Sequence, residues 1–261
     1  MPYTHVYGDL LCADRLSSLR CQELRCSTAL VVLNSPERSL SCGQLRVLAT
    51  ICGVVVAADG GANWLQQADI KPTCVVGDMD SVATKTIEAY TAARVVCQHE
   101  HDDSRTDFQK ALGRLPDDCT RAIVVGGDGG RLDHLLANFH AMYFDAMRCS
   151  QRDILLLSRN SIAFILRPGG HTIKIDKNVE GPTCGMFPLG GPCNVRTHNL
   201  RWEVNSEGLD GRPLQFGTYV SSSNQFAGDS VLIWTDSFLL WTHELRWPES
   251  AEIEHRKMEV P

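Results

Sequence analysis

Cys74-Val75-Val76-Gly77-Asp78-Met79-Asp80-Ser81 joins a short apolar run to a glycine and to two carboxylates one residue apart. The run has the length of a buried strand, and Gly77 lets the chain turn sharply off its end. Asp78 and Asp80 then project from a strand tip, where parallel α/β sheets collect their ligands. Two hard oxygen donors this close suit Mg²⁺, which takes one or two carboxylates and leaves the rest of its shell to water and phosphate. The same residues also fit a loop in which Asp78 and Ser81 cap a turn and the following helix.

Upstream, Gly53-Val54-Val55-Val56-Ala57-Ala58-Asp59-Gly60-Gly61-Ala62-Asn63 repeats the arrangement: an apolar strand, an acidic tip and glycines before a helix over 62–67. Ala29 to Leu33 is an earlier strand, broken by Asn34-Ser35-Pro36. Helices are expected over Leu40 to Cys52 and Ala83 to Ala93, and a short strand over Arg94 to Cys97. Ser104-Arg105-Thr106-Asp107 reads as a capping arrangement for a helix carrying Phe108, Ala111, Leu112 and Leu115. After the strand Arg121 to Val125 comes Gly126-Gly127-Asp128-Gly129-Gly130-Arg131, then a long helix expected to bury Leu132, Leu135, Leu136, Phe139, Tyr143 and Met147. Strands without polar alternation, separated by helices, predict a mostly parallel sheet covered on both faces.

Beyond residue 150 the pattern changes to short β-type runs with Gly and Pro turns: 154–157, 161–166, 171–175, 184–188, 214–222 and 230–235. That spacing predicts an antiparallel sandwich or barrel. The expected organisation is an N-terminal extension (1–27, with a short helix near Leu16 to Leu24), an α/β domain (28–158), an all-β domain (159–245) and a charged tail (246–261).

Composition excludes several classes of function. With 43% hydrophobic and 21% charged residues among 261, the sequence is that of a soluble globular protein. A formal charge of −6 argues against a nucleic-acid partner. No apolar run approaches the ~18 residues of a membrane span, and no signal-peptide pattern opens the sequence. The eleven cysteines include no Cys-x-x-Cys pair and several lie in apolar runs, which suits reduced thiols and a cytoplasmic location. His99 and His101 form an isolated pair, read as a solvated loop.

Asp59, Asp78, Asp80 and Asp128 all follow predicted strands, with Asp107 and Asp133 near by in sequence order. Like charges gathered at one sheet edge repel and call for a cation, and a divalent metal with a polyphosphate resolves that. The glycines of 126–130 free backbone N–H groups to cradle an anion at a helix start, and Arg131 matches a phosphate bidentately. A plain glycine-rich connector, with His134 a solvated first-turn residue, is the other reading of that loop.

Four ordered motifs, Asp59-Gly60-Gly61-Ala62-Asn63, Gly77-Asp78-Met79-Asp80-Ser81, Thr106-Asp107-Phe108-Gln109-Lys110 and Gly126-Gly127-x-x-Gly130-Arg131-x-Asp133-His134, resemble the thiamine pyrophosphokinase family. Leu200-Arg201-Trp202, Gly217 to Asn224 and Leu239 to Thr242 extend the resemblance over roughly residues 28–245. Where the family often has an aspartate two residues before the threonine of Thr-Asp-Phe, this chain has Ser104, with Asp102 and Asp103 adjacent.

The resemblance implies transfer of a pyrophosphoryl group from ATP to the hydroxyethyl oxygen of thiamine, giving thiamine diphosphate and AMP. It implies Mg²⁺ on Asp78, Asp80 and Asp107, and ATP on Asp59, Gly60, Gly61, Thr106, Gly126, Gly127, Arg131 and His134. Either Asp107 or Asp133 takes the hydroxyl proton. For thiamine, the β-rich domain offers Trp202 and Trp241 for stacking and Ser221, Ser223 and Asn224 for hydrogen bonds. A homodimer with shared active sites is implied too. Rival readings of the carboxylates are a metal-dependent hydrolase and a non-catalytic nucleotide-binding module.

Overall fold

The computed structural model describes residues 3–11, 18–149, 151–207 and 211–247. In chain order its elements are β1 (Tyr3–Val6), α1 (Gly8–Leu11), α2 (Ser18–Ser27), β2 (Thr28–Val32), α3 (Cys42–Thr50), β3 (Val54–Ala58), α4 (Gly61–Gln67), β4 (Cys74–Gly77), α5 (Thr84–Ala92), β5 (Val96–His99), α6 (Asp107–Leu112), β6 (Arg121–Val125) and α7 (Leu132–Arg148). There follow β7 (Asp153–Leu157), β8 (Ser161–Leu166), β9 (Gly169–Lys174), β10 (Glu180–Phe187), β11 (Val195–His198), β12 (Ser221–Gln225), β13 (Ser230–Thr235) and β14 (Leu239–Leu245). The chain divides into two units, Cys12–Arg159 and Met1–Leu11 with Asn160–Pro248.

In the first unit the strands lie in the order β7-β6-β2-β3-β4-β5, each pair parallel. All five residues of β2 are buried, as are four of five in β3 and in β6. Unbroken apolar runs therefore sit in the middle of the sheet, where both faces are covered. Two helices begin on reciprocal caps. Gln44 N–H donates to Ser41 Oγ at 3.2 Å and Ser41 N–H to Gln44 Oε1 at 2.7 Å. Gln109 N–H donates to Thr106 Oγ1 and Thr106 N–H to Gln109 Oε1. The cap of α6 is thus Thr106, which fixes Asp107 as its first residue.

The long helix α7 turns a different face inward from the one its pattern suggested. Asn138, Ala141, Met142 and Ala146 are buried, while Leu132 (70%), Leu136 (59%) and Met147 (50%) are exposed. Apolar residues run around much of its circumference, and the small side chains are the ones that allow close approach to the sheet.

The second unit holds two sheets, β12-β10-β14-β8, all antiparallel, and β1-β9-β13-β11. Tyr7 packs edge-on to Phe164 at 4.8 Å and His5 lies 5.3 Å from the same ring, so the sheets share a core. Residues 3–6, expected to belong to an extension, form a strand parallel to β9. Four residues are too short for periodicity to reveal. The tail expected over 246–261 lies outside the described residues from 248 onward. Among the described residues no helix is long and apolar enough to cross a membrane.

Candidate active site

Each functional side chain of the first unit hangs from a strand tip or the first turn of a helix. β3 ends at Asp59 (φ 44°) and β4 runs through Gly77 (φ 152°) into Asp78 and Met79 (φ 62°). Asp59 N–H donates to Val76 O at 2.8 Å, which joins the two tips. A Cβ at Gly77 would meet Asp59 Cβ at 2.9 Å and Asp107 Oδ1 at 3.3 Å. Glycine is therefore what lets three acidic residues converge. Non-glycine residues in the left-handed region at both tips are local strain of the kind found at functional sites.

Asp59, Asp78 and Asp107 each offer a carboxylate oxygen within 4.8 Å of the others. Asp59 is 3% exposed. Burial pushes its carboxyl above the usual range, hydrogen bonds from Gly60 and Ser81 oppose this, and the Asp107 charge adds to it. Lys110 donates to Asp107 Oδ1 at 2.9 Å from a buried position. These carboxylates open on a cavity of about 460 Å³ lined also by Asp80, Ser81, Thr106, Phe108, Gly126 and Arg131, with His134 and Asn138.

The converging trio differs by one member from the carboxylates expected to hold a metal. Asp80 lines the cavity but stays outside the converging three, accepting from Ser81 Oγ at 2.7 Å. Asp59, expected only at the nucleotide, takes its place in the cluster. Asp102, close to Ser104 in sequence, is not a member of the cluster. It accepts from Ser104 N–H and Oγ at 3.0 and 2.5 Å and from Arg105 Nε at 2.7 Å. Those bonds, with Ser104 foremost, hold its carboxyl near pKa 2.

Of the glycine-loop residues, Gly126, Gly129, Arg131 and His134 reach the cavity. Gly127 is tied behind it, its carbonyl accepting from Asn138 Nδ2 at 2.9 Å. Gly60 and Gly61 do not line it; a Cβ at Gly61 would clash with Val32 O, so that glycine serves close packing of α4 on β2. Asp128, which sequence placed with the acidic tips, accepts from Ser39 Oγ at 3.0 Å and is absent from the cavity wall. Asp133 is paired bidentately with Arg131 at 3.1 and 2.6 Å, which draws its carboxyl below the usual range.

Sequence reasoning missed Asn34, Phe108 and Asn138 as cavity residues. Asn34 reads in sequence as a strand breaker, and Asn138 lies on the face of α7 that the apolar pattern does not mark as inward. Asn63, the last residue of the Asp59–Asn63 motif, fastens the loop after β4, donating to Ser81 O and accepting from Ala83 N–H, both at 2.9 Å.

In the second unit, Ser223 (φ 56°) lines a shallow groove of about 360 Å³ with Ser222, Thr242, Glu244 and others. Trp202 is 53% exposed, with the Arg201 guanidinium 4.7 Å from its ring centre. The other residues expected at thiamine, Trp241, Ser221 and Asn224, are buried. Trp241 is fully buried and donates from its indole to His243 Nδ1 at 2.8 Å, so it offers no stacking face. Ser221 and Asn224 are 5% and 2% exposed and bonded to each other at 3.3 Å.

Comparison with known proteins agrees with both halves. The family model for the thiamin pyrophosphokinase catalytic domain matches residues 45–152, and that for the thiamin pyrophosphokinase vitamin B1 binding domain matches 170–240. The chain is 34% identical over 217 residues to thiamine pyrophosphokinase 1 of Oryza sativa subsp. japonica, covering 73% of this chain and 78% of that protein. Its fold is that of yeast thiamin pyrophosphokinase, with TM-score 0.77 at 19% identity over 96% and 93% of the two chains. The Candida albicans enzyme gives 0.76 at 18% identity over 94% of each. With both domains matched in order and a relative of this identity spanning most of its length, the chain belongs to the thiamine pyrophosphokinase family.

Proposed function

We propose that the acidic cavity is where this chain performs the reaction of its family, passing the pyrophosphoryl group of ATP to the hydroxyethyl oxygen of thiamine and releasing AMP. The observation that carries this is the convergence of Asp59, Asp78 and Asp107 within 4.8 Å on a cavity that also receives Arg131 and Gly126.

The donor set fits a divalent cation. Three carboxylates without sulfur or imidazole suit a hard ion such as Mg²⁺. Burial first, and the Asp107 charge after it, raise the Asp59 carboxyl, and a bound cation would favour its ionised form. Asp59, Asp78 and Asp107 would hold the ion, which supplies charge neutralisation at the phosphates and a template for the nucleotide. Arg131 and the N–H groups of the glycine loop orient phosphate oxygens. The thiamine hydroxyl attacks the β-phosphorus in line and AMP leaves, a reaction governed mainly by positioning and electrostatics. As proton acceptor Asp107 is favoured over Asp133, because Asp107 lines the cavity whereas Asp133 is outside its wall.

Exposed Trp202 and Ser223 support a thiamine site in the second unit, the ring for stacking on a cationic heterocycle and the hydroxyl for hydrogen bonding. A homodimer is supported by the uncovered apolar row on α7, Leu132, Leu136, Phe144 and Met147. The buried thiols of Cys52, Cys119, Cys184 and Cys193 support a reducing compartment such as the cytoplasm. The test is an end-point assay with ATP, Mg²⁺ and thiamine. One AMP per thiamine diphosphate is expected; stoichiometric ADP with thiamine monophosphate overturns the mechanism, and ATP breakdown independent of thiamine indicates a hydrolase.

A further inference from the structure

We propose that Lys110 is a built-in counter-charge for the carboxylate cluster, holding Asp107 in its ligand position and weakening the cluster's grip on a bare divalent cation. This rests on the reading that Asp59, Asp78 and Asp107 hold such an ion.

Lysine is almost never fully buried unless paired, and Lys110 is 5% exposed. The Thr106–Gln109 capping box sets the start of α6 and so the register that places Lys110 three residues after Asp107, on the same side of the helix. Its ammonium reaches Asp107 Oδ1 at 2.9 Å. It takes no place in the cavity wall, so it meets no phosphate there and acts through Asp107. One carboxylate oxygen is held from behind, and the side chain keeps the orientation that joins Asp59 and Asp78.

The charge has a second consequence. Three ionised carboxylates carry three negative charges, and Lys110 leaves a net two. A fixed positive charge in a partly desolvated site repels an incoming dication strongly. Lys110 thus stabilises the cluster when no cation is bound and lowers its affinity for the free ion. The polyphosphate of the nucleotide then makes up the difference, so the ion is held firmly only together with its substrate.

The experiment measures Mn²⁺ binding to the full chain without nucleotide, by titration of the free-ion resonance signal, for the natural protein, Lys110→Gln, Lys110→Arg and Asp78→Asn. Glutamine keeps a hydrogen-bond donor for Asp107 and removes only the charge. Lys110→Gln is expected to bind Mn²⁺ at least about tenfold more tightly than the natural protein, with Lys110→Arg close to the natural value. In chelator Lys110→Gln melts lower, and Mg²⁺ raises its Tm by more than it raises that of the natural protein. If Lys110→Gln binds Mn²⁺ no more tightly while Asp78→Asn loses binding, the cation site stands and the role of Lys110 falls. If the natural protein and Asp78→Asn bind alike, the cation reading itself fails and takes this inference with it. Should Lys110→Gln unfold in chelator, refolding on addition of Mg²⁺ supports the counter-charge, and failure to refold overturns it.

Discussion

The carboxamide of Asn224 closes on both backbone polar groups of Trp202: Trp202 N–H donates to Asn224 Oδ1 at 3.2 Å, and Asn224 Nδ2 donates to Trp202 O at 2.7 Å. Its remaining capacity goes to Ser221 Oγ and to the N–H of Gln225. A carboxamide has two donors and two acceptor positions, so Asn224 has nothing left for a ligand. It is a positioning residue that presents the Trp202 indole to solvent.

Asn224→Ala is therefore expected to destabilise the second unit by about 1–3 kcal/mol, because two backbone groups lose their partners. The KM for thiamine should rise severalfold while the KM for ATP stays put, and Trp202→Ala should raise it further. Equal losses toward both substrates would show that Trp202 has no special relation to thiamine. Steady-state kinetics with each substrate varied in turn makes the distinction.

Asp59 gives a prediction in which stability and activity move in opposite directions. Asparagine fits the left-handed backbone of this position (φ 44°) and keeps an oxygen for Ser81 N–H. Asp59→Asn removes a buried charge that burial and Asp107 disfavour. In chelator its Tm should rise by a few degrees, since 1 kcal/mol corresponds to about 2–4 °C for a chain of this size. Turnover should fall by roughly 10²-fold or more. A variant that loses stability and keeps turnover contradicts the assignment.

Much of this arrangement was legible in the chain because it rests on local signals. β2, β3, β4 and β6 are apolar throughout as central parallel strands must be, and Gly77-Asp78 announced a strand tip with a carboxylate on it. Which acidic tips meet was not legible. Asp59 and Asp128 both follow apolar strands beside glycines, but Asp59 sits on β3, next to β4, whereas Asp128 follows β6, on the far side of β2. Strand order is a non-local property, and it sends one aspartate to the cluster and the other to Ser39. The inward face of α7 was hidden for a related reason: a helix apolar on several sides does not declare which side is covered.

Asp78 and Asp80 separate on the same grounds. Asp78 belongs to the converging cluster and Asp80 stands one step along the wall. Asp78→Asn should abolish Mn²⁺ binding and lower kcat by roughly 10²-fold or more. Asp80→Asn should retain measurable ion binding and lose at least about tenfold less activity. The reverse order of severity would return Asp80 to the ligand set.

Asp102 provides a pH test away from the ion. Hydrogen bonds from Ser104 and Arg105 hold its folded-state pKa at about 2, below the ordinary 3.8. A depressed carboxyl contributes stability that is fully present above the unfolded pKa and is lost as pH falls through the folded one. The natural protein should therefore exceed Asp102→Asn in stability above about pH 4, and the gap should close as pH approaches 2. Urea melts of both proteins across that range read the difference directly. A gap independent of pH would mean that the carboxylate charge does nothing for the 102–105 loop.

The exposed apolar row of α7 and the separation of Asp78 and Trp202 into different units lead to a test of shared sites. Leu132, Leu136 and Met147 are each at least half exposed, more apolar surface than a helix in water usually leaves uncovered. In the proposed homodimer a second copy would cover this surface, and the thiamine-binding unit of one chain would serve the acidic cavity of the other. Asp78→Asn and Trp202→Ala chains, assayed at thiamine far below the raised KM of Trp202→Ala so that each parent alone turns over little, are mixed under conditions that exchange subunits. If sites are shared, a mixed dimer contains one site with both lesions and one with neither. Activity should then reappear, reaching about a quarter of the natural value, since random pairing makes half the dimers mixed and half of their sites intact. Verified mixed dimers that stay inactive would place the two residues in one chain's site. Leu136→Glu adds an independent arm: a charge in the middle of the row should dissociate the dimer and abolish the recovery, whereas a merely solvated helix face would tolerate it.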